Sequence, residues 1–155
     1  MLTILAVTSL ALHALWWSGN LYEALVFVPA WLTSWRQGRA PGVRIDPRVY
    51  YIPAYPAPVV AAVAAGVAYA QSLSTRPWLA AAAAASLAAA GLTVYVVATI
   101  NLELFFGDPP PAAARGLVLM QRWAALNLIR VAVVAVVLGT TARACWELVR
   151  LHGLR

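Results

Sequence analysis

Between Arg130 and Arg143 the chain runs VAVVAVVLGTTA without one charged side chain, and other long stretches are nearly as apolar. Such runs cannot stay in water, and crossing a bilayer takes roughly 20 apolar residues. In hydrocarbon each segment must satisfy its own backbone N–H and C=O groups, which selects helices. Composition agrees. Of 155 residues, 63% are hydrophobic and 10% charged, whereas a soluble domain carries about 25% charged residues. The sequence therefore reads as all-α: an integral membrane four-helix bundle, antiparallel up-down-up-down with a long first helix, and a single transmembrane domain over residues 1–155.

Four spans are expected, at about 2–35, 58–73, 78–106 and 117–148. The first exceeds what a bilayer needs and must tilt or bend, with Pro29 as the bend point. A Pro- and Arg-rich loop, residues 36–58, separates the first two spans. Ser74 or Thr75 is placed to cap the third, with Pro77 in its first turn. Gly107 and Asp108-Pro109-Pro110-Pro111 end it, and a short interfacial turn is expected around Ala112–Arg115. Ala62, Gly66 and Ala70 lie four apart and the tract AAAAAASLAAAG follows at 80–91; both read as small surfaces for close helix packing, with no chemistry assigned to the alanine tract. The N-terminal run has no basic residues before it and reads as a retained first helix.

Lysine is absent, so all 11 basic residues are arginine. That bias fits a GC-rich bacterial genome, and the expected location is a bacterial cytoplasmic membrane. The net charge of +6 points to anionic lipid head groups at helix ends and not to nucleic acid. More arginines fall in the first and third connections than on the opposite side, which favours a cytoplasmic face for those connections. Trp31, Trp35, Tyr50, Tyr51, Tyr55, Phe105, Phe106 and Trp123 flank that side and read as interface anchors. Cys145 is the only cysteine; with His13 and His152 it forms no metal pattern, and no metal site is expected.

Within the apolar runs, polar residues cluster by face. His13, Trp16, Asn20, Glu23 and Phe27 follow one stripe of the first helix. Trp123, Asn127 and Arg130 follow one stripe of the fourth, within about 40° of each other. Asn101 and Glu103, two apart near the end of the third, cannot both face inward, and Asn101 is the inward choice. At 1.5 Å per residue from the loop side, Asn101 lies about 8 Å in, Asn127 about 15 Å, and Glu23 and Arg130 each about 20 Å. A buried arginine needs a carboxylate, so Glu23 and Arg130 are expected to pair, with Asn101, Asn127 and Tyr22 adding hydrogen bonds. His13 falls nearer the opposite face, apart from this cluster.

The segments GNLYEALVFVPAW (19–31), TINLEL (99–104) and RWAALNLIR (122–130) resemble the anthrone-oxygenase-like family of small four-helix membrane proteins. The resemblance rests on Gly19, Tyr22, Val26 and Pro29, on Asn101, and most specifically on Trp123, Asn127 and Arg130. It implies oxidation of a lipophilic aromatic by O₂ without a cofactor. Such chemistry needs a base for an acidic C–H or O–H proton and a cation or hydrogen-bond donors for the resulting anion. On that chemistry Glu23 is expected as the base, Arg130 as the group that holds the anion, and Asn127 and Asn101 as the residues that orient it, with Tyr22, Trp123 and Asn20 as contacts to a hydrophobic aromatic substrate. The other reading is a non-catalytic membrane subunit, or a binder of a lipid or quinone-like molecule, in which Glu23–Arg130 locks the bundle. Whether the chain is an enzyme and whether it self-associates are left open by the sequence.

Overall fold

The computed structural model describes residues 1–39, 55–71 and 73–153, the last three by backbone alone. The expected tyrosines Tyr50 and Tyr51 and most of the first connection lie outside the described residues. Most of the described residues are helical: α1 (Leu2–Tyr22), α2 (Val28–Arg36), α3 (Ala57–Ala70), α4 (Arg76–Val96), α5 (Leu102–Leu104) and α6 (Ala113–Gly153). Wide π-turns at Glu23–Phe27 and Val97–Asn101 join α1 to α2 and α4 to α5, so six labels describe four rods.

Three rods are long and apolar enough to cross a membrane: Leu2–Arg36, Arg76–Leu104 and Ala113–Arg150. The second expected span differs. Its helix is 14 residues long, Ala57–Ala70, or about 21 Å against a hydrocarbon layer of about 30 Å. The turn expected at Ala112–Arg115 also differs, because α6 starts at Ala113 and runs without a break. Once past Pro109–Pro111 nothing in the sequence interrupts the helical hydrogen bonds.

The first rod widens instead of simply bending at its proline. Pro29 has no N–H to donate to the carbonyl four residues back, and its ring crowds that carbonyl. The strain is relieved just upstream, where the Val28 N–H reaches the Glu23 carbonyl five residues back. In the third rod the Leu102 N–H likewise reaches the Val97 carbonyl. There the Thr99 hydroxyl donates to the Tyr95 carbonyl at 2.7 Å, a side-chain bond that bends helices. α2 ends where Gly38 takes φ 73° and the Gly38 and Arg39 N–H groups return to Trp35 and Ser34 carbonyls. That left-handed residue costs glycine nothing.

α6 lies against α1, α2 and α4, and α3 bridges α1 and α4. Three apolar clusters stack along the rods. Leu2, Ala6, Ala64, Ala68, Leu79, Ala144 and Leu148 close one end. Trp16, Ala57, Ala89 and Val134 fill the middle. Val28, Trp31, Trp35, Val96, Ile100, Leu104, Leu119, Met120 and Trp123 close the other.

Two packing expectations are corrected. Ala62, Gly66 and Ala70 face outward, while Ala57, Ala61, Ala64 and Ala68 make the inner face of α3. Both sets are small at helical spacing, so size alone could not choose between them. Trp31, Trp35 and Trp123 are buried and are not interface anchors, although Tyr55 and Phe106 are exposed. Trp31 and Trp123 find ring partners on neighbouring rods, which offset what a head-group position would have given them.

Gly116 makes the tightest of these contacts possible. A Cβ there would run into three atoms of the Trp35 six-membered ring. Gly116→Ala should therefore force the indole or the rod aside and cost about 1–3 kcal/mol, the usual range for overpacking. Thermal unfolding of the detergent-solubilised protein checks this, with Gly139→Ala, which meets nothing within 4 Å, as the matched control.

Candidate functional site

The stripe on α6 meets the first rod at the π-turn. Glu23, its first residue, and Arg130 have side chains 4% and 3% exposed, and Arg130 Nη2 lies 3.7 Å from Glu23 Oε2. The same Nη2 donates to Asn127 Oδ1 at 2.6 Å. With its oxygen so engaged, Asn127 turns its Nδ2 to the Asn20 carbonyl at 3.1 Å. One amide thus ties the guanidinium of α6 to the backbone of α1. On the other side Arg130 Nη1 reaches Thr93 Oγ1 at 3.5 Å, and that hydroxyl donates to the Ala89 carbonyl at 2.9 Å.

Such an arrangement follows from the cost of burying ions. A guanidinium and a carboxylate out of water are tolerated only with each other and with added hydrogen bonds. Helical spacing supplies the first bond, since Asn127 and Arg130 are three apart on one face. The end of α1 supplies the second: the Asn20 carbonyl, which also accepts from the Glu23 N–H, takes the Asn127 amide on its other lone pair.

Asn101 is placed differently from expectation. It is buried, but its Oδ1 takes no hydrogen bond among the described residues. The Arg130–Thr93 contact fixes the register between rods. From there Asn101 lies about 12 Å along α4 and the second π-turn, and Trp123 about 10 Å along α6. Asn101 therefore shares the level of Trp123, above the arginine and not hydrogen-bonded to it. Glu103 turns to the surface, where Arg115 grips it through Nε and Nη2 at 2.7 and 2.8 Å.

Trp123 stands at the centre of an aromatic wall. Its ring is 6.1 Å from both Trp31 and Phe105 and nearly perpendicular to the latter. Trp31 packs in turn on Phe105 at 5.1 Å and stacks on Phe27 at 5.4 Å. The Trp123 Nε1 is enclosed and makes no hydrogen bond among the described residues. Tyr22 is not brought into the cluster: it is 46% exposed, with its ring edge-on to Phe27 at 5.2 Å. Asn20 is fully buried beside the site.

A second polar layer lies toward the other end. His13 Nδ1 donates to the Ser9 carbonyl at 2.7 Å, which leaves Nε2 to accept from the Ser86 hydroxyl at 2.7 Å. All three residues are buried. Ser86 is the one hydroxyl among the alanines of 80–90, so the alanine tract does carry a polar contact, and that lone serine was its signal. Thr93 gave no such signal, because threonines on apolar helices commonly bond only to their own backbone. Ser86→Ala should strand the His13 nitrogen and cost about 1–3 kcal/mol, measured as a loss of thermal stability that Ser86→Cys partly restores.

Taken together, a cation, a carboxylate and two amides lie within a few turns beside an aromatic wall, inside rods apolar enough for lipid. Among the described residues no group of three His, Cys, Asp or Glu side chains is arranged to hold a metal. No family model, no curated protein and no solved structure matches this chain.

Proposed function

We propose that this chain is a multi-pass protein of a bacterial cytoplasmic membrane, its four rods running up-down-up-down, and that its buried polar cluster oxidises a lipophilic aromatic with O₂ without a cofactor. The observation that carries the reading is the Arg130 guanidinium, enclosed with Glu23 and Asn127 beside the Trp123 wall. The resemblance of residues 19–31, 99–104 and 122–130 to anthrone oxygenases supplies the reaction class.

A substrate with an acidic ring methylene would enter from the bilayer and stack on the aromatic wall. Glu23 takes one methylene proton, and the enolate replaces the carboxylate as the counter-ion of Arg130. Net charge in the site is unchanged, so the proton transfer creates no new buried ion. The enolate gives its electrons to O₂. Two C–H bonds are lost, one C=O bond forms, and the second oxygen atom leaves as water. Asn127 holds the guanidinium in place, and Asn101 offers a free acceptor to a substrate hydroxyl.

The competing reading is a bundle lock with no chemistry. It is favoured by the Asn127 bonds, which join Arg130 to the Asn20 backbone. Purified protein incubated with an anthrone under O₂ separates the two. Quinone absorbance should rise with enzyme, and Glu23→Gln should slow it about 10²-fold or more, as loss of a general base does. Quinone formation no faster than in buffer would reject the oxygenase reading for that substrate class and leave the lock. A rate unaffected by Glu23→Gln would remove Glu23 as the base.

A further inference from the structure

Arg76 opens α4 at the end of the bundle closed by Leu2, Leu79 and Leu148. Its guanidinium carbon lies 5.3 Å from the centre of the Tyr69 ring, on the preceding rod. Its Nε is enclosed and has no hydrogen-bond partner, and no carboxylate pairs with it among the described residues. This sets it apart from Arg115, Arg130 and Arg143, each of which has a glutamate within 4 Å. A half-buried guanidinium held over a ring, with no carboxylate beside it among the described residues, calls for an acceptor from outside the chain.

The surroundings say what that acceptor is. Trp78, two residues on, donates Nε1 to Glu147 at 3.2 Å and lies under Arg143 at 5.8 Å. Trp146 is exposed on the same end of α6. Tyrosine, tryptophan and arginine in one belt mark the level of lipid head groups. The anion available at that level is phosphate, which matches the planar fork of arginine with two parallel bonds.

We propose that Arg76, held by the Tyr69 ring, is a phosphate-binding anchor for one anionic phospholipid at this rim of the bundle. The phosphate oxygens meet the guanidinium donors, and the acyl chains run down the outward faces of α3 and α4, where Val59, Val63 and Leu87 are exposed. This site is separate from the Arg130 cluster, and its test does not depend on the reaction proposed there.

The delipidated full-length protein, titrated with phosphatidylglycerol and observed intact by native mass spectrometry, tests the proposal. One phosphatidylglycerol per chain should be retained more tightly than phosphatidylcholine. Arg76→Gln should weaken retention about fivefold, the usual worth of one arginine near a charged surface. Tyr69→Leu, which keeps the charge and removes the ring, should weaken it less. Arg115→Gln, at the opposite end, should leave it unchanged. Equal retention by Arg76→Gln and the parent protein, or equal retention of the two lipids, would overturn the proposal. Displacement of the lipid by inorganic phosphate at matching concentration would also overturn it, assigning the residue to a free anion.

Discussion

Replacing Arg130 by alanine will destabilise the protein by about 3–5 kcal/mol, one of the two largest single losses expected. The cost comes mainly from what is left behind. Glu23 remains buried without its cation, and Asn127 loses the donor that fixes its oxygen at 2.6 Å. Breaking one side of a buried pair has that magnitude, whereas removing both sides is far milder. Glu23→Ala combined with Arg130→Ala should therefore recover part of the stability lost by Arg130→Ala alone. Thermal or chemical unfolding of the four proteins of this cycle gives the coupling directly. A double variant that loses the full sum of the two single losses would mean the two charges do not meet.

The second large effect belongs to Trp123→Ala, expected to cost about 3–5 kcal/mol as buried tryptophans do. The indole is 2% exposed and contacts the Trp31 and Phe105 rings on two other rods. No nearby side chain can refill that volume without leaving its own packing. Trp123→Phe should keep the edge-on contact with Phe105 and lose markedly less. Near-ultraviolet circular dichroism should also lose intensity in Trp123→Ala, since the coupled indoles of Trp31 and Trp123 are in van der Waals range. If Trp123 were instead a head-group anchor, both substitutions would be nearly silent in stability.

The polar cluster was legible in the sequence because helical geometry is rigid over short distances. Asn127 and Arg130 share a face by spacing alone, and equal depth on two rods was enough to match Glu23 to Arg130. What the sequence hid was the extra residue in each π-turn. A regular helix extends the stripe His13, Trp16, Asn20, Glu23 to Phe27 and Ser34, but the buried residues past the turn are Val28, Trp31 and Trp35. The inserted residue rotates everything beyond it by about 100°. That shift turns Val28 and Trp35 into the core beside Trp31, whereas Tyr22 precedes the turn and faces outward by spacing alone, two residues from Asn20. For Asn101 both the burial and the level about 12 Å from Arg130 followed from counting along the helix; the expected hydrogen bond to the cluster did not form, and its Oδ1 has no partner among the described residues.

The small residues were ambiguous for a different reason. Ala61, Ala64 and Ala68 pack inward on α3 while Ala62, Gly66 and Ala70 face out, and alanine tolerates either environment. Burial of Ala82, Ser86 and Ala89 on α4 was settled by His13, which reaches across to Ser86. A polar pair chose the register where apolar residues could not.

The central claim is that an ion pair joins the first and last rods inside the bundle. Solid-state NMR in bilayers measures it most directly, through the dipolar coupling between ¹⁵N-labelled arginine side chains and ¹³C-labelled glutamate carboxyl carbons. The difference between the parent protein and Glu23→Gln isolates the pair from Arg115–Glu103 and Arg143–Glu147. The account predicts a short-range coupling that disappears in Glu23→Gln, carried by a guanidinium protected from exchange with water. Identical spectra from the two proteins would contradict it.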